Sequence, residues 1–280
     1  MTYASPAFLM TFMIFVACTI LGCANVKSSG MENPGNNSTK SEVRTDTNPS
    51  LGVIRLDYEY PPVLGDVDFP GGFSYPVVYE VVEGLTFERC QKGEMDPELA
   101  KGFKDAVRQL EARGAAGISG DCGFMMNYQE FIRNQTDLPV FMSSIMLAPT
   151  LMPMLNPSEK IAILTANSVN LKPGLPGMLK TCGLEGQIDR FVVVGCEKVP
   201  GFEAVANAEK VDVSKVMPGI ENLVLQLMQD HPEVKILVFE CTELGAYSNR
   251  VRALTGLPVF DAISNMNFFQ AGLAENAMLP

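Results

Sequence analysis

Leu138-Pro139-Val140-Phe141 returns as Leu257-Pro258-Val259-Phe260, and the same offset of 119 residues (122 to 241) lays Cys122 on Cys241, Tyr128 on Tyr247, Arg133 on Arg252 and Thr136 on Thr255. Eight identities in a 20-residue window without a gap mark an internal duplication of the unit strand, Cys, helix, strand. Around it, short β-branched runs alternate with helical patterns, which predicts an α/β protein with parallel strands. Strands are expected over 52–58, 76–82, 116–119, 139–142, 160–166, 190–196, 235–240 and 258–261. Two helices stand out between them. One opens with Asp96 as N-cap and Pro97 at the first position, carries Leu99, Phe103, Val107 and Leu110 on one stripe, and stops by Gly114. The other carries Ile220, Leu223, Val224, Leu227 and Met228 and ends before His231-Pro232. The architecture expected is two pseudo-symmetric, flavodoxin-like lobes with parallel sheets and the active site between them. The first lobe is expected over 51–143 plus about 255–280, and the second over 144–254.

The N-terminus stands apart. Residues 7–24 are almost wholly apolar and uncharged, and 25–50 are polar, rich in Asn, Ser, Thr, Gly and Pro. That reads as a signal peptide or membrane anchor over 1–24 followed by a disordered linker over 25–50. It predicts entry into the secretory pathway or a membrane tether, with the final compartment open.

Composition removes several classes of function. The 280 residues hold a single His, no Trp and seven Cys, with 32 acidic against 21 basic side chains for a net charge of −11. A His-based triad or His-ligated metal site has one imidazole to draw on, His231, in a turn after a helix. An acidic surface repels phosphate backbones, so nucleic acid is not an expected partner. No metal and no cofactor are expected.

Chemistry then falls to the matched cysteines. Each follows a strand end and precedes a helix, at the carboxyl edge of a parallel sheet where ligands bind. A helix N-terminus there is expected to favour the thiolate. Two such thiols facing across a pseudo-twofold axis can remove and supply protons at a carbon next to a carboxylate, with hydroxyls of Ser143, Ser168 and Thr242 and backbone N–H groups stabilising the enediolate. Cys182 and Cys196 read as packing residues, and Cys90, beside Arg89, as a partly buried thiol.

These residues resemble a known family. Glu240-Cys241-Thr242-Glu243-Leu244 is similar to the second Cys motif of the aspartate/glutamate racemase superfamily. Gly120-Asp121-Cys122-Gly123-Phe124 stands in place of the first. Leu164-Thr165-Ala166-Asn167 lies where that superfamily has a strand-end Thr/Asn loop near the substrate carboxylate. Gly52-Val53-Ile54-Arg55-Leu56-Asp57-Tyr58-Glu59-Tyr60-Pro61-Pro62 and Gly84-Leu85-Thr86-Phe87-Glu88-Arg89-Cys90-Gln91 resemble the Alma-type dimethylsulfoniopropionate (DMSP) lyases of marine algae. The resemblance implies cofactor-independent cleavage of DMSP, a small zwitterionic carboxylate, to dimethyl sulfide and acrylate. It also implies Cys122 and Cys241 as the catalytic pair, Thr165 and Asn167 near the substrate, and a homo-oligomer, a dimer or tetramer. A sulfonium cannot donate hydrogen bonds and suits aromatic faces, for which Tyr58, Tyr60, Phe73 and Tyr75 are candidates. The alternatives are a two-cysteine racemase or epimerase of an amino or hydroxy acid, and a non-catalytic binding protein. Gly123-Phe124, in place of the Asn-Thr that follows the first Cys in amino-acid racemases, argues against an α-amino acid.

Overall fold

The computed structural model describes residues 49–274, apart from Pro70 and the side chain of Val205. The apolar leader and the linker before Pro49 lie outside the described residues. Among the described residues no helix is long and apolar enough to cross a membrane.

The chain begins with β1 (Ser50–Arg55) and then runs through an irregular stretch to β2 (Val77–Val81). A short helix α1 (Phe87–Lys92) follows, then the long helix α2 (Pro97–Ala112) and β3 (Ala115–Gly120). After Cys122 come a six-residue 3-10 helix (Gly123–Tyr128) and α3 (Gln129–Arg133). Val140 then bridges in parallel to Ile118 beside β3. All strand pairs are parallel, in the order β2-β1-β3.

The second half repeats this plan. A 3-10 turn (Ser144–Leu147) and α4 (Ala148–Leu151) lead into β4 (Lys160–Thr165). Next come α5 (Ser168–Thr181), β5 (Phe191–Gly195), α6 (Val213–Asp230) and β6 (Val234–Phe239). A 3-10 turn (Thr242–Tyr247), α7 (Ser248–Thr255), β7 (Val259–Phe260) and α8 (Ala262–Leu273) complete it. The sheet order is β5-β4-β6-β7, again parallel. Strands β3 and β6 stand 119 residues apart, as do Val140 and Val259, so the sequence repeat is also a repeat of topology. Segment 139–142, expected as a strand, contributes a bridge at Val140, and segment 258–261 gives the two-residue β7.

Sequence chemistry sets these elements locally. Asp96 accepts a hydrogen bond from the Leu99 N–H at 2.8 Å and Pro97 opens α2, while Leu99, Phe103, Val107 and Leu110 are fully buried. Each such side chain contributes about 1.5–3 kcal/mol on leaving water. They pack with Ile54 and Ile118 on one face of the first sheet.

The segments after Val140 and after β7 cross over. Helix α8 follows a strand of the second sheet yet packs on the first, where Ala262 and Met266 meet Leu51 and Val53 and the Phe269 ring lies against Gly117. In the other direction, the Ser144 hydroxyl donates at 2.8 Å to the Phe239 carbonyl at the end of β6. Helix α8 thus packs on the first sheet, while β7, just before it, pairs with β6 in the second.

The lobes meet at the two cysteine loops. The Thr242 hydroxyl donates to the Asp121 carbonyl at 2.6 Å. At the equivalent place in the other loop, Gly123 lies so close to Glu240 that a Cβ would overlap the Glu240 carbonyl. Gly123→Ala is therefore expected to destabilise by several kcal/mol, because the obstacle is backbone and cannot swing aside. Gly177→Ala, in an exposed turn of α5 with open space around it, is expected to stabilise by about 0.5–1 kcal/mol. Chemical denaturation of the two variants checks both; a neutral Gly123→Ala would contradict the packing of the loops.

Candidate functional site

A cavity of about 180 Å³ opens over the carboxyl ends of β4, β5 and β6, with α1 of the other lobe on its rim. Cys241 lines it, as do Asn167 at the end of β4 and Cys196 at the end of β5. From α1 come Phe87 and Gln91, and from the turn Phe202–Asn207 come Phe202 and Glu203. Helix α1 exists because Thr86 caps it, accepting from the Arg89 N–H at 3.3 Å, and Gly93 ends it with φ 63°. This is the Gly84–Gln91 motif read in the sequence.

The two matched thiols have different surroundings. Both are 7% exposed. The Cys241 Sγ donates to Glu243 Oε2 at 2.7 Å, and both side chains face the cavity. Cys122 does not line it. Cys122 lies against Cys90 of α1, and hydrogen bonding with that thiol, followed by burial, holds the Cys122 pKa well above the usual thiol value. Cys90, read as a partly buried thiol, is fully buried and is the partner of a matched cysteine.

The expected thiolate bias is reversed. Each Cys is the N-cap of a six-residue 3-10 helix, but neither side chain makes a capping hydrogen bond, and the favour a helix N-terminus lends the thiolate is outweighed by burial and by neighbouring carboxyl groups. Burial and the Glu243 and Glu240 carboxylates push the Cys241 thiol well up. Carboxyl groups gather beneath the cavity. Asp66, Asp121, Glu240 and Glu243 are buried. Arg55 is paired with Asp68 at 3.0 Å and stands 3.8 Å from Asp121. Burial pushes Glu240 up to about 8 and, with Glu243 nearby, Asp66 up to about 7. Burial raises Glu243 as well.

The other expected residues divide into three groups. Asn167 lines the cavity, and Ser168 is at its edge, where its backbone N–H donates to the lining residue Glu197. Thr165 is fully buried beneath and accepts from the Asn167 N–H at 3.2 Å. Ser143 and Thr242 line a separate, water-sized cavity between the lobes, with Glu240 and Asn265. Their hydroxyls are engaged, Ser143 accepting from the Ile145 N–H and Thr242 donating to Asp121.

The aromatic candidates also separate. Tyr58 stacks 6.1 Å from Phe87 and accepts from the Ala208 N–H at 2.7 Å. Tyr60 donates to Asp66 at 2.6 Å, and neither Tyr58 nor Tyr60 lines the cavity. Phe73 and Tyr75 stack on each other and pack toward α8, Tyr75 donating to Asn267 at 3.0 Å. The aromatic residues that line the cavity are Phe87 and Phe202, neither of them among the aromatic candidates of the sequence. His231 caps the end of α6 and pairs with Glu233 at 3.2 Å.

No family model matches the chain. It is 52% identical over 232 residues to dimethylsulfoniopropionate lyase 7 of Emiliania huxleyi (strain CCMP1516), covering 81% of this chain and 68% of that protein. It is 47% identical over 228 residues to the dimethylsulfoniopropionate lyase of Durusdinium sp. clade D, covering 81% and 76%. Among solved structures, unliganded arylmalonate decarboxylase matches with a TM-score of 0.53 at 19% identity, over 82% of this chain and 94% of that one. An aspartate racemase homologue from Pyrococcus horikoshii OT3 matches with a TM-score of 0.54 at 16% identity, over 81% and 100%. The structures establish a fold shared with the aspartate/glutamate racemase superfamily. The sequence relatives go further: the chain belongs to the dimethylsulfoniopropionate lyase family.

Proposed function

We propose that the chain cleaves DMSP to dimethyl sulfide and acrylate, with Cys241 as the base. The observation that carries this reading is the cavity itself. It offers one of the two matched thiols, already hydrogen-bonded to a carboxylate, among aromatic and acidic side chains and without Lys or Arg. Glu243 takes the Cys241 proton. The thiolate then removes a proton from the carbon next to the substrate carboxylate, and that electron pair forms the new C=C bond as the carbon–sulfur bond breaks. Sulfur leaves with the bonding pair as neutral dimethyl sulfide. Acrylate remains, and the proton passes through Cys241 and Glu243 to solvent.

A β-elimination needs one base and returns no proton to carbon. A racemase needs a second group on the opposite face of the substrate, and Cys122 is engaged with Cys90 away from the cavity lining. The environment therefore favours elimination over racemisation. Two relatives named as DMSP lyases, at 52% and 47% identity, support the same substrate.

Cys241→Ser is expected to lower dimethyl sulfide release by roughly 10²- to 10⁴-fold, measured in the headspace over purified protein with DMSP. Cys122→Ser is expected to lower it by less than about tenfold, since that thiol would be outside the reaction. Equal loss in a folded Cys122→Ser protein would sink the one-thiol reading. The raised Cys241 pKa predicts that kcat/KM climbs as pH rises above neutral, because that profile reports groups of the free enzyme. Stability moves the other way. Folded Glu240 and Asp66 hold protons up to about 8 and 7, whereas unfolded carboxylates release them near pH ~4. Their contribution is thus fully present below pH ~4 and is lost as pH rises through those folded values. A series of Tm measurements should fall over that window in wild type and less steeply in Glu240→Gln; a rising Tm would contradict the assignment.

A further inference from the structure

The orientation of one amide in the cavity follows from a helix cap. Asn167 caps α5, its Oδ1 accepting from the Asn170 N–H at 3.1 Å. That fixes the Asn167 amide nitrogen on the other side, where it donates to Gln91 Oε1 at 2.8 Å. The Asn170 amide nitrogen donates to the same oxygen at 2.7 Å. Gln91 is 8% exposed and lines the cavity. With its oxygen engaged twice, its nitrogen has two N–H donors and no protein acceptor among the described residues.

The rest of the lining has the opposite character. Phe87 and Phe202 are the aromatic residues of the wall, and the Tyr58 ring stands beside Phe87. Glu197, Glu203 and Glu243 are the charged groups of the wall. Aromatic faces with carboxylates and no cation suit a positively charged group that lacks hydrogen-bond donors.

We propose that the cavity is a two-ended site for a short onium carboxylate, in which the Gln91 amide holds the carboxylate and Phe87, Phe202 and Glu203 hold the cation. The proposal rests on the lyase reading for the identity of the onium and deepens it by assigning the two ends. Cys241 then acts on the carbon between them. The onium also supplies the positive charge that the protein leaves out, and a thiolate forming beside it is favoured in a way that a neutral ligand cannot match. The Gln91 donors address the oxygens on which charge grows as the carbon proton leaves.

Half-ligands separate the two ends. Acrylate carries the carboxylate alone and trimethylsulfonium the cation alone. Binding of each to the full chain is followed by titration calorimetry and by inhibition of dimethyl sulfide release. In Gln91→Glu the oxygen that receives Asn167 and Asn170 is kept while the donors are lost. That variant should weaken acrylate by about tenfold or more and leave trimethylsulfonium unchanged or tighter. Gln91→Met, which has no donor either, should give the same loss if the charge of Glu perturbs folding. Glu203→Gln combined with Phe202→Leu should weaken trimethylsulfonium and spare acrylate. Undiminished acrylate binding in both Gln91 variants, or parallel loss of both half-ligands in every variant, would overturn the assignment. A wild-type protein that binds both halves but releases no dimethyl sulfide would keep the two-ended site and sink the lyase reading. Binding of neither half by a protein that still releases dimethyl sulfide would sink the two-ended site and keep the lyase reading.

Discussion

Two loops press together at the centre of this molecule, and the site depends on that contact. Gly123 meets the Glu240 backbone, and the Thr242 hydroxyl reaches the Asp121 carbonyl at 2.6 Å. The two contacts are related by the same 119-residue offset as the cysteines, so each loop holds the other in place. A side chain at position 123 would force the loops apart. The crossover of α8 onto the first sheet and of Ser144 onto β6 ties the lobes together beyond the loops, and α1 of one lobe is thereby carried to the cavity over the strands of the other.

Symmetry of backbone has not produced symmetry of chemistry. Between β4 and β5 the chain forms α5, whose Asn167 cap reaches the cavity. Between β1 and β2 it forms an irregular stretch whose Tyr60 and Asp66 bond to each other. The Cys241 loop therefore faces an open space with Glu243 at its sulfur, and the Cys122 loop faces Cys90. Duplication supplied two thiols, and the surroundings reserve one of them for the cavity. That difference is what a one-base elimination requires and a two-faced proton exchange does not.

Much of this was legible in the chain. The repeat of Cys, Tyr, Arg, Thr and Leu-Pro-Val-Phe located both strand ends and both matched cysteines, because each lies in the same strand, loop and strand unit. Asp96-Pro97 announced α2 through capping chemistry alone. What escaped depends on long-range placement. Gln91 is on a six-residue helix too short to show periodicity, and its donors are oriented by Asn167, 76 residues away. Phe202 and Glu203 sit on a 3-10 turn without a hydrophobic pattern. Aromatic residues of the stretch after β1 were reasonable candidates by type, yet Phe73 and Tyr75 pack toward α8, a partner no local pattern reveals. The raised pKa of the two thiols has a related origin. A strand-to-helix junction is visible in sequence, but the 3-10 geometry after each Cys and the carboxylates gathered by folding are not.

The central claim is that one thiol, on one face of the substrate, removes the proton. DMSP carrying deuterium in the pro-R or the pro-S position next to its carboxylate tests this directly, by mass spectrometry of the acrylate formed. The account predicts complete loss of deuterium from one of the two substrates and complete retention from the other, with no exchange of label between the positions in recovered substrate. Partial loss from both, or scrambling in recovered DMSP, would mean that proton transfer occurs on both faces and would contradict it.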